Sequence, residues 1–148
     1  MATVHSDILS SEDMTFITQH HSVITALQKS SILSVGMISF IMPITSSIRS
    51  SLTRAFGMDL SSTSVLPMRW IRGDIAPHVD IGTTPFQNTH VVYLQDNKGE
   101  LLLDGVSHPI LANTGYVVKE GMTNETRNTG SEPRLIIGPM NERGEPVA

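Results

Sequence analysis

The sequence predicts one mainly β domain, an antiparallel sandwich or barrel with N-terminal helices packed outside it. Three observations predict this. The 148-residue length suits a single domain, one able to bury roughly two-thirds of its unfolded surface. From Ser64 onward, short apolar runs alternate with turn-rich segments of three or four residues, the pattern of a sandwich or barrel. Before that point the apolar residues recur at helical spacing.

Composition narrows the class. Hydrophobic residues make up 39% and charged residues 16%, which is globular material rather than a disordered chain. The net charge is −4, and the 10 Lys and Arg residues form no run that could track phosphates, so no nucleic-acid partner is expected. With no cysteine there is neither a disulfide framework nor a thiolate metal site. Any metal must be held by His, Asp, Glu or amide oxygen.

The elements follow in order. Met1 to Leu9 has no basic stretch leading into an apolar core, which argues against a secretory signal. Ser10, three residues before Asp13, resembles a capping box, and Phe16, Ile17, Ile24 and Leu27 mark one face of a helix reaching about Lys29. The apolar run Ile32 to Ile44 is shorter than the roughly 20 residues of a bilayer span. Ser34, Gly36, Ser39 and Pro43 interrupt it, so it reads as a buried strand. A cytoplasmic chain with no membrane partner is therefore expected, and the sequon at Asn124-Glu125-Thr126 carries no weight without a secretory route. Pro43 suits the first turn of a second helix, with Ile44, Ile48, Leu52 and Phe56 on one face and Gly57 as its stop. Residues 1–60 thus read as a helical support and 61–148 as the β core of the same domain. Strands are expected at Val65 to Ile71, Thr89 to Leu94, Glu100 to Leu103, Tyr116 to Lys119 and Arg134 to Gly138, with turns at 72–74, 96–99, 113–115 and 128–130.

The chemistry concentrates in the β half. In Pro77-His78-Val79-Asp80, positions i and i+2 of a strand share a face, so the imidazole and carboxylate can converge on one cation. That donor pair suits a divalent first-row metal, and two histidines with one carboxylate form the non-haem iron signature. His-x-Asp alone also arises by chance, as a surface turn following Gly73.

The surrounding residues resemble the prolyl-4-hydroxylase-like branch of the iron(II)/2-oxoglutarate oxygenases. A strand and a Gly-containing turn lead into Pro-His-x-Asp over Met68 to Asp80. The run Thr89-His90-Val91-Val92-Tyr93-Leu94-Gln95-Asp96, then Gly99-Glu100-Leu101-Leu102-Leu103, matches the family's Tyr-Leu-x-Asp strand and the Gly and apolar strand after it. Glu132-Pro133-Arg134-Leu135-Ile136-Ile137 supplies the basic residue of the last barrel strand. The likeness covers roughly residues 44–140. It implies a double-stranded β-helix of the jelly-roll or cupin kind, with Fe(II) as metal and 2-oxoglutarate as co-substrate. His78 and Asp80 would be iron ligands. Arg134 would hold the distal carboxylate of 2-oxoglutarate, for which a guanidinium fork is suited, and Tyr93 would donate to the same carboxylate or simply fill the core. The implied reaction oxidises a small molecule or a peptide side chain. Its substrate would lie at the barrel mouth beside Arg69, Trp70 or the loop Gly82 to Asn88, although the sole tryptophan also suits core packing.

The pattern departs at one position. Ten residues before Arg134 the family places its second histidine, and here stands Asn124. Its carboxamide oxygen would be a weaker donor than imidazole, with Glu120 or Glu125 as substitutes. His5, His20, His21, His90 and His108 are read as surface or packing residues. Two further functions therefore stay open: a catalytically degenerate barrel that binds a carboxylate ligand or a partner, and a non-oxidative isomerase or cyclase. The domain is short for the family, so a covering partner or a second copy of the chain would close an open mouth.

Overall fold

The computed structural model describes residues 2–34 and 36–148; Met1 and Val35, the latter inside the Ile32–Ile44 run, lie outside them. Three helices come early: α1 (Ser11–Gln19), α2 (His21–Leu33) and α3 (Ser46–Phe56). The strands are β1 (Thr3–Ser6), β2 (Met37–Pro43), β3 (Val65–Ile71), β4 (His78–Val79), β5 (Asn88–Tyr93), β6 (Asn97–Leu103), β7 (Val106–Ile110), β8 (Thr114–Lys119), β9 (Thr123–Arg127) and β10 (Arg134–Met140). They form a six-stranded sheet ordered β1-β8-β5-β10-β3-β2 and a four-stranded sheet ordered β4-β9-β6-β7. Every pairing is antiparallel. The fold is a double-stranded β-helix with helices on the outside of its larger sheet.

Strand alternation sorts the apolar residues into two cores. Ile71, Tyr93, Tyr116, Val118 and Ile136 of the larger sheet meet Leu101, Leu103 and Ile110 of the smaller one inside the barrel. On the other face of the larger sheet, Met42, Leu66, Met68, Trp70, Leu135 and Ile137 pack against Ile17, Val23, Ile48 and Leu52 of the helices. Trp70 is a core residue. Its ring is buried and its Nε1–H donates to the Val23 carbonyl at 2.9 Å.

The helix signals are realised with one change. Ser10 caps α1, its Oγ accepting from the Asp13 N–H at 3.1 Å. The expected single helix breaks at His20, where the backbone is extended and Nδ1 accepts from the Ser22 N–H to cap α2. Thr45, rather than Pro43, starts α3 through a bond from the Ile48 N–H, and Gly57 ends it in the left-handed region. Pro43 closes β2 instead. That strand lies at the sheet edge, where Met37 and Ile41 stay exposed, so it is only partly buried.

Two strand boundaries matter for the site. The smaller sheet takes β7 and β9, neither of which has an apolar run: Val-Ser-His-Pro-Ile contains a proline, and Thr-Asn-Glu-Thr-Arg is polar throughout. The β10–β5 register shifts after Ile137. Gly138 sits in that irregularity at φ +100°, and a β-carbon there would stand 2.6 Å from the His90 carbonyl, so only glycine is accommodated.

Leu135 is fully buried between the larger sheet and the helices. Leu135→Ala is expected to lower the unfolding free energy by about 2–5 kcal/mol. Urea titration followed by Trp70 emission measures it, and a loss below about 1 kcal/mol would show that this layer relaxes to fill the gap.

Candidate active site

The cavity between the sheets has a volume of about 500 Å³. Its walls are largely apolar, from Ile71, Val91, Leu101, Leu103, Val118 and Ile136. Polar groups enter from a few fixed positions, the arrangement of a small-molecule site.

One set comes from the smaller sheet. His78 and Asn124 are directly opposed where β4 pairs with β9, and both line the cavity with Asp80. His78 Nδ1 lies 3.0 Å from the Ala76 carbonyl. A carbonyl only accepts, so Nδ1 carries the proton, and in the neutral ring Nε2 carries the lone pair. That atom stands 3.3 Å from Asp80 Oδ1. Asp80 is buried, and its Oδ2 accepts from Asn124 Nδ2 at 3.2 Å.

The second set comes from the larger sheet. Arg134 begins β10 opposite Ile71 and is wholly buried. It lies against Thr126 and Tyr93, both of which line the cavity. Its Nη2 donates to Thr126 Oγ1 at 3.0 Å. Nε and Nη1 are buried and have no partner among the described residues. Burial pushes the Tyr93 phenol up, while the neighbouring Arg134 pulls it part of the way back. The ring thus stays protonated as a donor, although the two groups make no hydrogen bond of ordinary length and angle. Asp74 also lies in the field of Arg134. Its carboxylate is held low mainly by the Thr129 N–H and hydroxyl, which it accepts at 2.9 and 2.7 Å.

All five residues singled out in the sequence, His78, Asp80, Asn124, Tyr93 and Arg134, therefore meet in or against one cavity. Thr126 was not foreseen. It lies two residues after Asn124 on the same face of β9, a signal hidden because that strand is polar. His108 lies on β7 and His90 on β5, and neither lines the cavity. Trp70 faces the helices, and the loop from Gly82 to Phe86 bounds a separate hollow that shares Asp80.

The donors suit the groups implied. Among the described residues no three His, Cys, Asp or Glu side chains gather to hold a metal ion. Two do: His78 Nε2 and Asp80 Oδ1 stand at about the ~3 Å spacing of adjacent ligands around an ion bound at roughly 2.1 Å. The Ala76 contact fixes the His78 tautomer as metal-binding histidines require. The orphaned Arg134 N–H groups match a carboxylate.

No protein-family model matches the chain, and no curated protein does. Solved structures do. A prolyl-4-hydroxylase from Pseudomonas putida superposes with a TM-score of 0.53 at 12% identity, over 91% of this chain and 89% of that one. A non-heme alpha-ketoglutarate-dependent epimerase, SnoN of nogalamycin biosynthesis, gives 0.53 at 11% identity, over 91% and 74%. The likeness is one of fold. No helix among the described residues is long and apolar enough to cross a membrane.

His90 supplies a pH test of the barrel wall. It packs on Phe56 with ring centroids 5.0 Å apart, and burial pulls its pKa below 6.5, partly opposed by the Met140 backbone and Glu142. The folded protein thus keeps this ring neutral where the unfolded chain takes up a proton. The resulting stability is present above about pH 6.5 and lost as pH falls through the lowered folded value. Urea midpoints are expected to decline from pH 7.5 to 5, and His90→Leu is expected to flatten that decline. An unchanged slope in the variant would assign it to other groups.

Proposed function

We propose that this chain is a dioxygenase-like enzyme dependent on Fe(II) and 2-oxoglutarate, oxidising a small molecule held in the barrel. One observation carries the reading. A fully buried arginine keeps two donors unused beside a cavity whose other sheet presents a fixed His–Asp pair. Burying such donors unpaired costs about 1–3 kcal/mol or more, a cost that a carboxylate ligand removes.

Each residue then has a role. His78 offers Nε2, held in register by Ala76. Asp80 supplies the negative charge, and Asn124 stands in the third place with a carboxamide oxygen, the weak member of the set. Arg134 binds the distal carboxylate of 2-oxoglutarate, with the neutral Tyr93 phenol as a second donor. When bound, iron and 2-oxoglutarate supply the oxidising power, the co-substrate leaving as succinate. The apolar walls exclude water and orient the substrate's C–H bond.

A second reading follows from Asn124. Its N–H group already satisfies Asp80, which suits a barrel that binds a carboxylate ligand without redox turnover.

Two experiments separate these. Purified protein with Fe(II), oxygen and 2-oxoglutarate is expected to form succinate, even without primary substrate. Arg134→Gln should weaken 2-oxoglutarate binding by about 10–100-fold, the effect of one or two charge-assisted bonds. Succinate at background level together with Arg134-dependent binding would favour the non-redox barrel. Asn124→His is expected to tighten iron binding at least tenfold, and unchanged metal affinity would remove position 124 from the ligand set.

A further inference from the structure

Two arginines line the cavity: Arg72, whose Nη2 donates to Ser31 Oγ at 2.9 Å, and Arg69. Arg69 lies on β3 opposite Ile136 of β10 and is half-buried. Ile71, two residues on, is opposite Arg134. Arg69 and Arg134 are thus diagonal neighbours on one sheet face, their β-carbons about 7–8 Å apart or less. Arg69 makes no hydrogen bond or ion pair with any described residue. Burial lowers its pKa, and the field of Asp80 acts in the opposite direction.

The acids around the cavity are already engaged. Asp74 accepts from Thr129, Glu125 holds Arg127, and Asp80 holds Asn124 and faces His78. The unpaired cationic donors are then Nε and Nη1 of Arg134, beside the cavity, and the whole Arg69 guanidinium on its wall. Such groups favour an anion. Arg134 is fully enclosed while Arg69 is partly open to solvent, so the two serve ligands at different depths. A volume of about 500 Å³ falls in the roughly 300–1,000 Å³ range of pockets for drug-sized ligands, more than a five-carbon diacid needs. Ile136 stands opposite Arg69 and Ile71 follows it on the same face, and Val91 and Leu101 add to the cavity's apolar lining.

We propose that Arg69 anchors the carboxylate of the primary substrate, a small acid with an apolar body, in the cavity where Arg134 holds the co-substrate. The inference rests on the reading above and narrows its substrate class from small molecules in general to apolar carboxylic acids. A guanidinium fork can take both carboxylate oxygens, and the apolar wall shelters the remainder of the molecule from water.

Hexanoate and its neutral analogue hexanamide test it. Both are titrated by NMR into the full chain saturated with 2-oxoglutarate and Mn(II), and 2-oxoglutarate binding is measured separately. Hexanoate is expected to bind at least tenfold more tightly than hexanamide. Arg69→Gln should reduce hexanoate affinity at least tenfold, and by more than it reduces 2-oxoglutarate affinity; Arg134→Gln should show the reverse order. Equal binding of acid and amide, or no hexanoate binding, would overturn the proposal on the unaltered protein. So would an Arg69→Gln loss falling mainly on 2-oxoglutarate, since both arginines would then hold one diacid. If 2-oxoglutarate does not bind the unaltered protein, it is the proposed function that fails. Arg69 is then judged by the same variants without co-substrate: a hexanoate loss confined to Arg134→Gln overturns its role, and one confined to Arg69→Gln upholds it.

Discussion

A guanidinium with no exposed surface sits between the two sheets, and much of the site's arrangement answers that constraint. Removing a cation from water is costly unless neighbours replace the lost hydration. Arg134 has Thr126 as one acceptor and the fields of Asp74 and Tyr93 around it. Thr126 can reach it only because β9 lies on the facing sheet, and the Thr126 hydroxyl also accepts from the Ile75 N–H at 2.9 Å. That contact ties down the segment leading into His78 and Asp80. One buried charge thus links the last strand of the larger sheet to the chain entering the His–Asp pair. Two of its donors have no partner among the described residues, and the proposed function seats a carboxylate against them.

The same constraint explains what was legible in the sequence. Elements with strong local signals were readable: the Ser10 cap, the four-residue spacing ending at Gly57, and the apolar runs of Val65–Ile71 and Arg134–Gly138. Each is set by its own side chains and a few neighbours. The residues expected at the candidate site came from His-x-Asp, whose two donors can share one strand face, and from the resemblance of the surrounding run to a known family; the structure gathers them in or against one cavity. The strands β7 and β9 could not be read because their residues are polar or include proline. They pair for their backbone hydrogen bonds, and β9 supplies Asn124, Glu125 and Thr126 to the cavity wall. The break at His20 was equally hidden, because a histidine side chain acting as a cap has no signature in apolar periodicity.

The larger sheet shows why the fold tolerates a polar interior. Its outer face carries the helices, and Leu66, Met68, Trp70, Leu135 and Ile137 there are nearly inaccessible. The hydrophobic stabilisation on that face is independent of the groups facing inward, because alternate residues of β3 and β10 point opposite ways. Arg69 lies between Met68 and Trp70, and Arg134 immediately precedes Leu135. Each strand therefore turns a cation inward, Arg69 onto the cavity wall and Arg134 against Thr126 and Tyr93, while its neighbours stay in the outer core. Changes at the inward positions can alter what the cavity accepts without removing the packing that holds the sheet and helices together.

Asp80 is the point where these relations compete. Three groups approach it: the His78 imidazole, the Asn124 amide and, through its field, Arg69. A carboxylate buried without partners would be expensive, and the amide donor at position 124 supplies one in the absence of any cation. A histidine there would offer a metal a stronger ligand than the carboxamide. Under the proposed function, Asn124 would trade metal affinity for a carboxylate that is satisfied at rest. Arg69 adds a positive charge on the same side, which repels a dication but attracts an acid. An anion seated on Arg69 would screen that charge from Asp80, so that ligand and metal favour each other's binding. On that proposal the cavity would take an acid first, and its His–Asp pair would take a metal with the acid's help.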